Sequence, residues 1–510
     1  MLEYIMLKGR VFLKNENNQT GVPGIPNTGF FGHPKGLFTL FFTEFWERFS
    51  YYGMRAILVL YLYYEVSKGG LGFDQTTAMS IAAIYGSLVY LSGIIGGWVA
   101  DRLLGTSRTV FYGGVFIMLG HVVLALPLGA EAFFASMFLI IIGTGLLKPN
   151  ISSVVGDLYT KEDRRRDSGF SIFYMGINLG AFISPFVVEG LRSEYNSFHA
   201  GFSAAAVGML LGLIVFVITK KKNLGTIGTM PPNPLSPEGK KKFAITFIAA
   251  VIAIGILFYA LTAIGWLTID RFVLMVTIIA VIIPIIYFVW MYKSSKTTDV
   301  ERSRLLAYIP LFLSAVLFWA IYEQGSNLLN IYAVERTNLT LLGITIKPGV
   351  LQAMPALFVI IFAPVAAWFW MKLGDRQPST TRKFSIGLLL AGLSFIVMLV
   401  PGYLSGGETL VSPYWLILSY FIVTIGELCL SPVGLSATTK LAPAAFSAQT
   451  MSLWFLASAV AQALNSQLVK LYSTETELLY FGSIGGFAIL CSIIVYFIAP
   501  TIQKYMRGIQ

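Results

Sequence analysis

The chain has 510 residues, of which 56% are hydrophobic and 12% are Asp, Glu, Lys or Arg, about half the charged fraction of an average soluble protein. That composition excludes an ordinary water-facing globule. The net charge of +11 would suit a polyanion if it were gathered on one face, but it is scattered through short loops between apolar runs, so no nucleic-acid partner is expected. Cys429 and Cys491 both lie inside apolar runs, so no disulfide framework is implied. His33, His121 and His199 are far apart and form no HExxH pair, which leaves metal hydrolysis without a visible site.

In chain order, residues 1–35 are polar and lack the apolar core and small-residue cleavage site of a signal peptide, so they read as a cytoplasmic tail. Apolar runs of about twenty residues, each able to cross a hydrocarbon core of about 30 Å, then fall near 36–64, 77–100, 107–127, 132–156, 168–190, 199–219, 243–262, 271–292, 303–329, 348–371, 383–401, 412–437, 444–469 and 477–500. The fold class expected is an all-α polytopic membrane protein with fourteen transmembrane helices. The runs are continuous and do not alternate with period two, which excludes a barrel.

With the N-terminus placed in the cytoplasm, Lys8, Arg10, Lys14, Lys35, Arg102, Arg108, Lys161, Arg164 to Arg166, the Lys triplets at 220–222 and 240–242, Lys293, Lys296, Arg302, Arg304, Lys372, Arg376, Arg382, Lys383, Lys440, Lys504 and Arg507 all fall inside. Only Lys68, Arg192, Arg271, Arg336, Lys347 and Lys470 fall outside. By the positive-inside rule both termini are cytoplasmic. The expected location is the cell inner membrane, with lipid around a multi-pass chain.

The stretch from Lys220 to Lys242 carries Pro231, Pro232, Pro234 and Pro237 and reads as a cytoplasmic linker. It divides the chain into a six-helix bundle at 36–219, a linker and two-helix insert at 220–302, a second six-helix bundle at 303–500 and a cytoplasmic tail at 501–510. The loop GGWVADRLLGTSR (96–108) has a looser echo in WMKLGDRQPSTTR (370–382) at the same place in the second half. Two halves with such an echo are what a transporter built from repeats presents.

The informative residues are charges inside the spans: Glu44, Glu47, Arg48, Arg55, Lys148, Glu323 and Glu427. A charge at the bilayer centre costs about 2.5–3.5 kcal/mol on insertion scales, so such residues are expected to face a polar cavity and one another. The structural alternative is a set of interhelical salt bridges, although buried pairs seldom repay their desolvation. Four acids against three bases leave one negative charge, which a single proton would neutralise. In the first span Arg48, Tyr51 and Arg55 fall within about 40° of Glu44 around the helix, with Glu47 and Tyr52 on the flanks of that face. The same spacing groups Trp319, Glu323 and Asn327, Glu427 with Ser431, and Tyr174 with Asn178. Taken singly, each such residue could be helix-packing glue.

Glu44-x-x-Glu47-Arg48-Phe49-x-Tyr51-Tyr52-Gly53 resembles the ExxERFxYYG motif of the proton-coupled oligopeptide transporter family, a branch of the major facilitator superfamily. GGWVADRLLGTSRTVFYGG (96–114) and FSIFYMGINLGAF (170–182) agree with it. The resemblance covers residues about 30 to 500, including the two extra helices that bacterial members carry. It implies a major facilitator fold and symport of di- and tripeptides with protons by alternating access. It further implies that Arg55, Lys148 and Asn178 receive the peptide carboxylate and Glu427 the peptide ammonium. Glu44, Glu47, Arg48 and Glu323 would couple protons, and Tyr52, Tyr90, Trp319, Ser431 and Trp454 would line the pocket. The histidine of animal members has no counterpart in Tyr85 to Tyr90, so coupling would rest on carboxylates.

Residue chemistry points to the same substrate class. A free peptide is a zwitterion, and Arg55 with Lys148 on one side and Glu427 on the other supply the matching polarity, with aromatic walls tolerant of sequence. A carrier of another small solute, an anion or a peptide-like drug, is the alternative on the same fold. An enzyme would need a nucleophile with its base or a metal set, and neither stands out. No cofactor is expected beyond the coupling proton, and a single chain is expected to transport. For the empty site, Arg55–Glu323 and Lys148–Glu427 are the expected gating pairs.

Overall fold

The computed structural model describes residues 27–160, 163, 165–341, 343–406 and 409–509. Among the cations used for orientation, Lys8, Arg10, Lys14, Lys161 and Arg164 lie outside the described residues, as does most of the 1–35 tail. The first half comprises α1 (Gly36–Tyr63), α2 (Gln75–Val99), α3 (Thr106–Leu124), α4 (Gly129–Gly156), α5 (Arg166–Glu194) and α6 (Phe198–Asn223). The insert is α7 (Pro237–Ala263) and α8 (Ile269–Lys293). The second half comprises α9 (Asp299–Tyr322), α10 (Leu328–Glu335), α11 (Met354–Leu373), α12 (Thr380–Ile396), α13 (Leu399–Ser405), α14 (Tyr414–Leu441), α15 (Ser447–Leu468) and α16 (Glu477–Tyr505).

Twelve helical stretches among the described residues are long and apolar enough to cross a membrane. The chain is a multi-pass membrane protein. The helices α1 and α15 are not among the twelve, although they run for 28 and 22 residues. Four charges dilute the apolar character of α1, and Gln449, Gln462, Asn465 and Gln467 that of α15. Polar residues at such cost belong on faces turned away from lipid.

The spans at 303–329 and 383–401 each fall within one membrane-length helical stretch, Asp299–Glu335 and Thr380–Ser405, with breaks inside them. The span at 303–329 is not one unbroken helix: α9 stops at Tyr322, Glu323–Ser326 forms a 3-10 turn, and α10 resumes at Leu328. Gly325 in that turn has little helix propensity, and the backbone of Asn327 leaves the helical region at φ −121° and ψ −93°. The span at 383–401 is likewise two pieces, α12 and α13, with Pro401 in the second. The 220–242 linker is shorter than its composition suggested, because the first Lys triplet continues α6 to Asn223 and Pro237 opens α7. Proline suits a first helical turn, where its missing N–H is no loss. The residues between fold back on the 96–108 loop: Ser107 N donates to Gly228 O at 2.8 Å, and Leu235 N to Arg102 O at 3.1 Å. A two-residue hairpin, β1 (Thr340–Leu341) with β2 (Ile344–Thr345), is the one sheet among the described residues.

Two compact units divide the chain. The first holds residues up to Tyr52, Ser92–Ala181 and Phe202–Phe247. Its core joins Val110 and Ile117 to Leu147, Ile151, Met209 and Phe216. There α3 and α4 meet backbone to backbone, since a Cβ on Gly113 would lie 2.7 Å from Gly143 O and one on Gly143 2.6 Å from Gly113 O. Close approach through small residues is how helices gain contact where no hydrophobic drive exists between them.

The second unit holds Gly53–Leu91, Phe182–Gly201 and Ile248–Gln510. Its units of contact cut across the sequence halves because the ends of first-half helices pack with second-half ones inside it. Tyr63 and Gln75 both donate to Glu335, at 2.6 and 2.9 Å. Asn330 donates to Ala56 O at 2.8 Å and Asn327 to Met79 O at 2.9 Å. Of the insert, α8 packs through Val276 and Ala280 on Ala463 of α15 and Ile84 of α2, with Thr277 bonded to Ser466, whereas α7 buries no residue.

At the start of α1, the segment Asn27–Lys35 is clipped to the loop after α4. Arg165 donates to Asn27 O and Gly32 O at 3.1 Å and pairs with Asp163 at 2.8 Å. His33 Nδ1 lies 2.9 Å from the Tyr159 hydroxyl. Burial first, and the Arg165 charge second, hold the His33 imidazole below its ordinary value. A histidine with a lowered folded value is protonated more readily when released, so its contribution is present at high pH and lost as pH falls. Acidification through about pH 6.5 and below is therefore expected to loosen 27–35 from Tyr159, Asp163 and Arg165, read as lower amide protection factors in 27–35 and 165–168 once the intrinsic exchange rate at each pH is divided out. Protection factors that stay flat across that range would rule this out.

Candidate functional site

In the first unit, α1 presents Glu44, Glu47 and Arg48 on adjacent turns, all buried. Arg48 Nε is 3.1 Å from Glu44 Oε1 and makes a still shorter ion pair with Glu47 Oε2. The shared guanidinium leaves Glu44 Oε2, Glu47 Oε1 and one Arg48 terminal nitrogen buried without a hydrogen-bond partner among the described residues. Such groups are costly to hide, and they are where a proton or a ligand gains most. Lys148 on α4 is a further charge that Glu44 feels. The Tyr51 ring lies 5.3 Å from that of Tyr52 and stacks under Arg48 at 5.2 Å. Asn178 on α5 is buried and gives its amide to Tyr174 O, one turn back in its own helix, at 3.0 Å.

In the second unit, Arg55 donates from both terminal nitrogens to Glu323 Oε2 at 3.0 Å, and to the Ser326 hydroxyl at 2.5 Å. The partners are separated by 268 residues. Glu427 on α14 lies close to Glu323 and within reach of the Tyr322 hydroxyl. Trp319 Nε1 on α9, whose ring lies 5.2 Å from that of Tyr322, and Glu427 Oε2 and Ser431 Oγ on α14 are buried without hydrogen-bond partners among the described residues. Two donors and one carboxylate oxygen left open in this way describe a place for a polar guest. Trp454 packs its indole directly on Gly434, where any Cβ would collide with the ring, and meets Phe384 edge-on at 6.3 Å. Tyr90 also belongs to this unit.

The charges therefore divide unevenly. Glu44 and Glu47 against Arg48 and Lys148 are balanced in the first unit, whereas Glu323 and Glu427 against Arg55 leave one negative charge in the second. That excess sits where the unpartnered donors and carboxylate are.

Comparison with known proteins places this arrangement. A family model described as the POT family matches residues 107–485. The chain belongs to the POT family. Curated members similar to it include the uncharacterised transporter YclF of Bacillus subtilis, 60% identical across 97% of this chain and 99% of that one, and a di-/tripeptide transporter of Lactococcus lactis, 48% identical across 94% and 98%. A crystal structure of a peptide transporter POT in complex with sulfate superimposes with a TM-score of 0.93 at 63% identity, covering 95% of this chain and 98% of that one. The major facilitator fold expected from the motifs is thus the fold of this POT family chain.

Some buried polar groups in this POT family member escaped the sequence reading. Glu189 is fully buried and paired bidentately with Arg192 at 2.6 and 2.9 Å. Arg336 is buried with Glu477 at 3.1 Å. All lie at or just beyond the ends of apolar runs, where a charge is ordinarily in water; the i,i+3 spacing of Glu189 and Arg192 was the one signal available. Gln352, in the 3-10 turn Pro348–Ala353, donates to the Gly325 carbonyl at 2.8 Å.

Proposed function

We propose that this transporter imports di- and tripeptides together with protons across the cell inner membrane by alternating access, with both termini in the cytoplasm. The 36–219 and 303–500 bundles are the repeats that exchange access. The observation that carries the reading is the Arg55–Glu323 ion pair with a second carboxylate, Glu427, beside it. With Glu323 paired to the guanidinium and Glu427 beside Glu323, the two acids have one negative charge to spare, for which a proton and a peptide ammonium are both complements.

In this reading Glu427 takes the ammonium, with Ser431 and Trp319 completing its shell, and Trp319 and Trp454 provide apolar walls that tolerate many side chains. The peptide carboxylate goes to Arg55 once Glu323 is protonated and releases it, assisted by Lys148, with Asn178, Tyr52 and Tyr90 completing the substrate contacts. Glu323 carries a coupling proton, and the carboxylates of Glu44 and Glu47, held by Arg48, couple its movement to transport. Lys148 and Glu427 form the second gating pair when no peptide is bound. The proton is the coupling ion and no cofactor takes part.

Purified protein in liposomes, given an inward proton gradient and labelled dialanine, is expected to accumulate the dipeptide, and a protonophore to abolish accumulation. Accumulation that needs no gradient, or that is indifferent to blocking both peptide termini, would favour a carrier of another small solute.

A further inference from the structure

The turn that interrupts the helix pair α9 and α10 is held residue by residue by different parts of the second unit. Arg55 binds its first and last members, Glu323 and Ser326. Gln324 is anchored by Tyr480, whose hydroxyl donates to its Oε1 at 2.7 Å, and by Asn465 at 3.3 Å. The Gly325 carbonyl, released from the α-helical ladder by the 3-10 geometry, accepts two side-chain donors: Gln352 Nε2 at 2.8 Å and the Tyr420 hydroxyl at 2.9 Å. Gln352 also donates to the Tyr420 oxygen at 3.1 Å, so the three groups form a closed triangle.

A carbonyl freed at a helix break needs a partner, but one donor would satisfy it. Here a phenol gives its single proton and an amide is shared between acceptor and phenol, from two separate elements, α14 and the 3-10 turn Pro348–Ala353. Gly325 permits the approach, because a Cβ there would lie 3.1 Å from the Tyr420 ring. Short 3-10 stretches inside a helix are weakly bonded and mark hinges. The clamped carbonyl is two residues from Glu323, so its direction fixes that of the Glu323 carboxylate.

We infer that Gln352 and Tyr420 are positioning residues for proton coupling, clamping the Gly325 carbonyl so that Glu323 meets Arg55. The inference rests on the proposed role of Glu323 as a proton carrier. Loss of one donor leaves the turn a second orientation, in which the carboxylate no longer faces the guanidinium and its proton uptake no longer tracks release of Arg55.

The test uses the full chain in liposomes with Tyr420→Phe, Gln352→Met, both together, and Glu323→Gln. Each isosteric single variant is expected to lower gradient-driven dialanine uptake about threefold to tenfold, the span of one net hydrogen bond, and to move the pH of half-maximal uptake. The KM for counterflow exchange should stay within about twofold. Because both donors serve one acceptor, the double variant should fall short of the product of the singles. If driven uptake and exchange fall together with the pH midpoint unmoved, the residues are only structural and the inference is overturned. Should Tyr420→Phe not fold, Gln352→Met decides by the same criteria. Glu323→Gln separates the two layers: full retention of its pH response removes the role of Glu323 and the clamp with it. A flat Glu323→Gln response beside wild-type profiles in both clamp variants removes the clamp alone.

Discussion

Glu47→Gln is expected to abolish proton-driven accumulation of peptide while exchange of internal for external peptide persists, and Glu44→Gln to do the same. Both carboxylates are buried and share the guanidinium of Arg48. An amide keeps the shape and part of the hydrogen bonding but cannot gain or lose a proton at physiological pH. Exchange moves no net proton, so it remains open to a carrier that still binds peptide and reorients. Removing one partner of a buried ion pair can also destabilise by about 3–5 kcal/mol, so the thermal midpoint of each variant must be measured beside transport. Unchanged gradient-driven uptake in both variants would remove the α1 triad from the coupling scheme. Equal loss of both transport modes in a well-folded variant would assign it to peptide binding or reorientation.

The second large effect concerns the polarity of the site. Glu427→Gln should weaken peptides with a free amine by about tenfold to a hundredfold, the equivalent of a charge-assisted hydrogen bond of about 1.5–3 kcal/mol. Peptides with an acetylated amine should lose far less, because they bring no cation for Glu427 to meet. Lys148→Ala should discriminate in the same way between free and amidated carboxyl ends. Competition by the unblocked, acetylated and amidated peptides, three forms, against labelled dialanine gives the affinities. The reading is sunk if blocking the amine costs as much affinity in Glu427→Gln as in the unaltered protein. The open Oε2 of Glu427 and the unpartnered Ser431 and Trp319 groups make the amine end the sharper of the two tests.

How far the chain could be read depended on which interactions act along it. Runs near 77–100 and 271–292 correspond to α2 and α8 within a few residues, because crossing a membrane demands a minimum length of apolar helix whatever surrounds it. The face of α1 bearing Glu44, Arg48 and Tyr51 was legible for a similar reason, since helical spacing alone sets the angle between side chains. The break at Glu323–Ser326 was not legible. The local sequence Glu-Gln-Gly-Ser weakens a helix without ending it, and the donors that hold the broken turn come from Arg55, Gln352, Tyr420 and Tyr480.

By itself, the sequence determined that this chain is a helical membrane protein, where its charges lie along each helix, and through its motifs the family whose members it resembles. Those properties follow from the hydrocarbon thickness, the 100° step of the α-helix and the cost of an intramembrane charge, all of which act within one segment. Tertiary structure alone decided which charge meets which between helices: that Arg55 spends both terminal nitrogens on Glu323, and that the surplus negative charge falls with Glu323 and Glu427. A helix's own periodicity gives the direction of a side chain about one axis, whereas an ion pair requires the relative placement of two axes, and that is fixed only when distant segments pack.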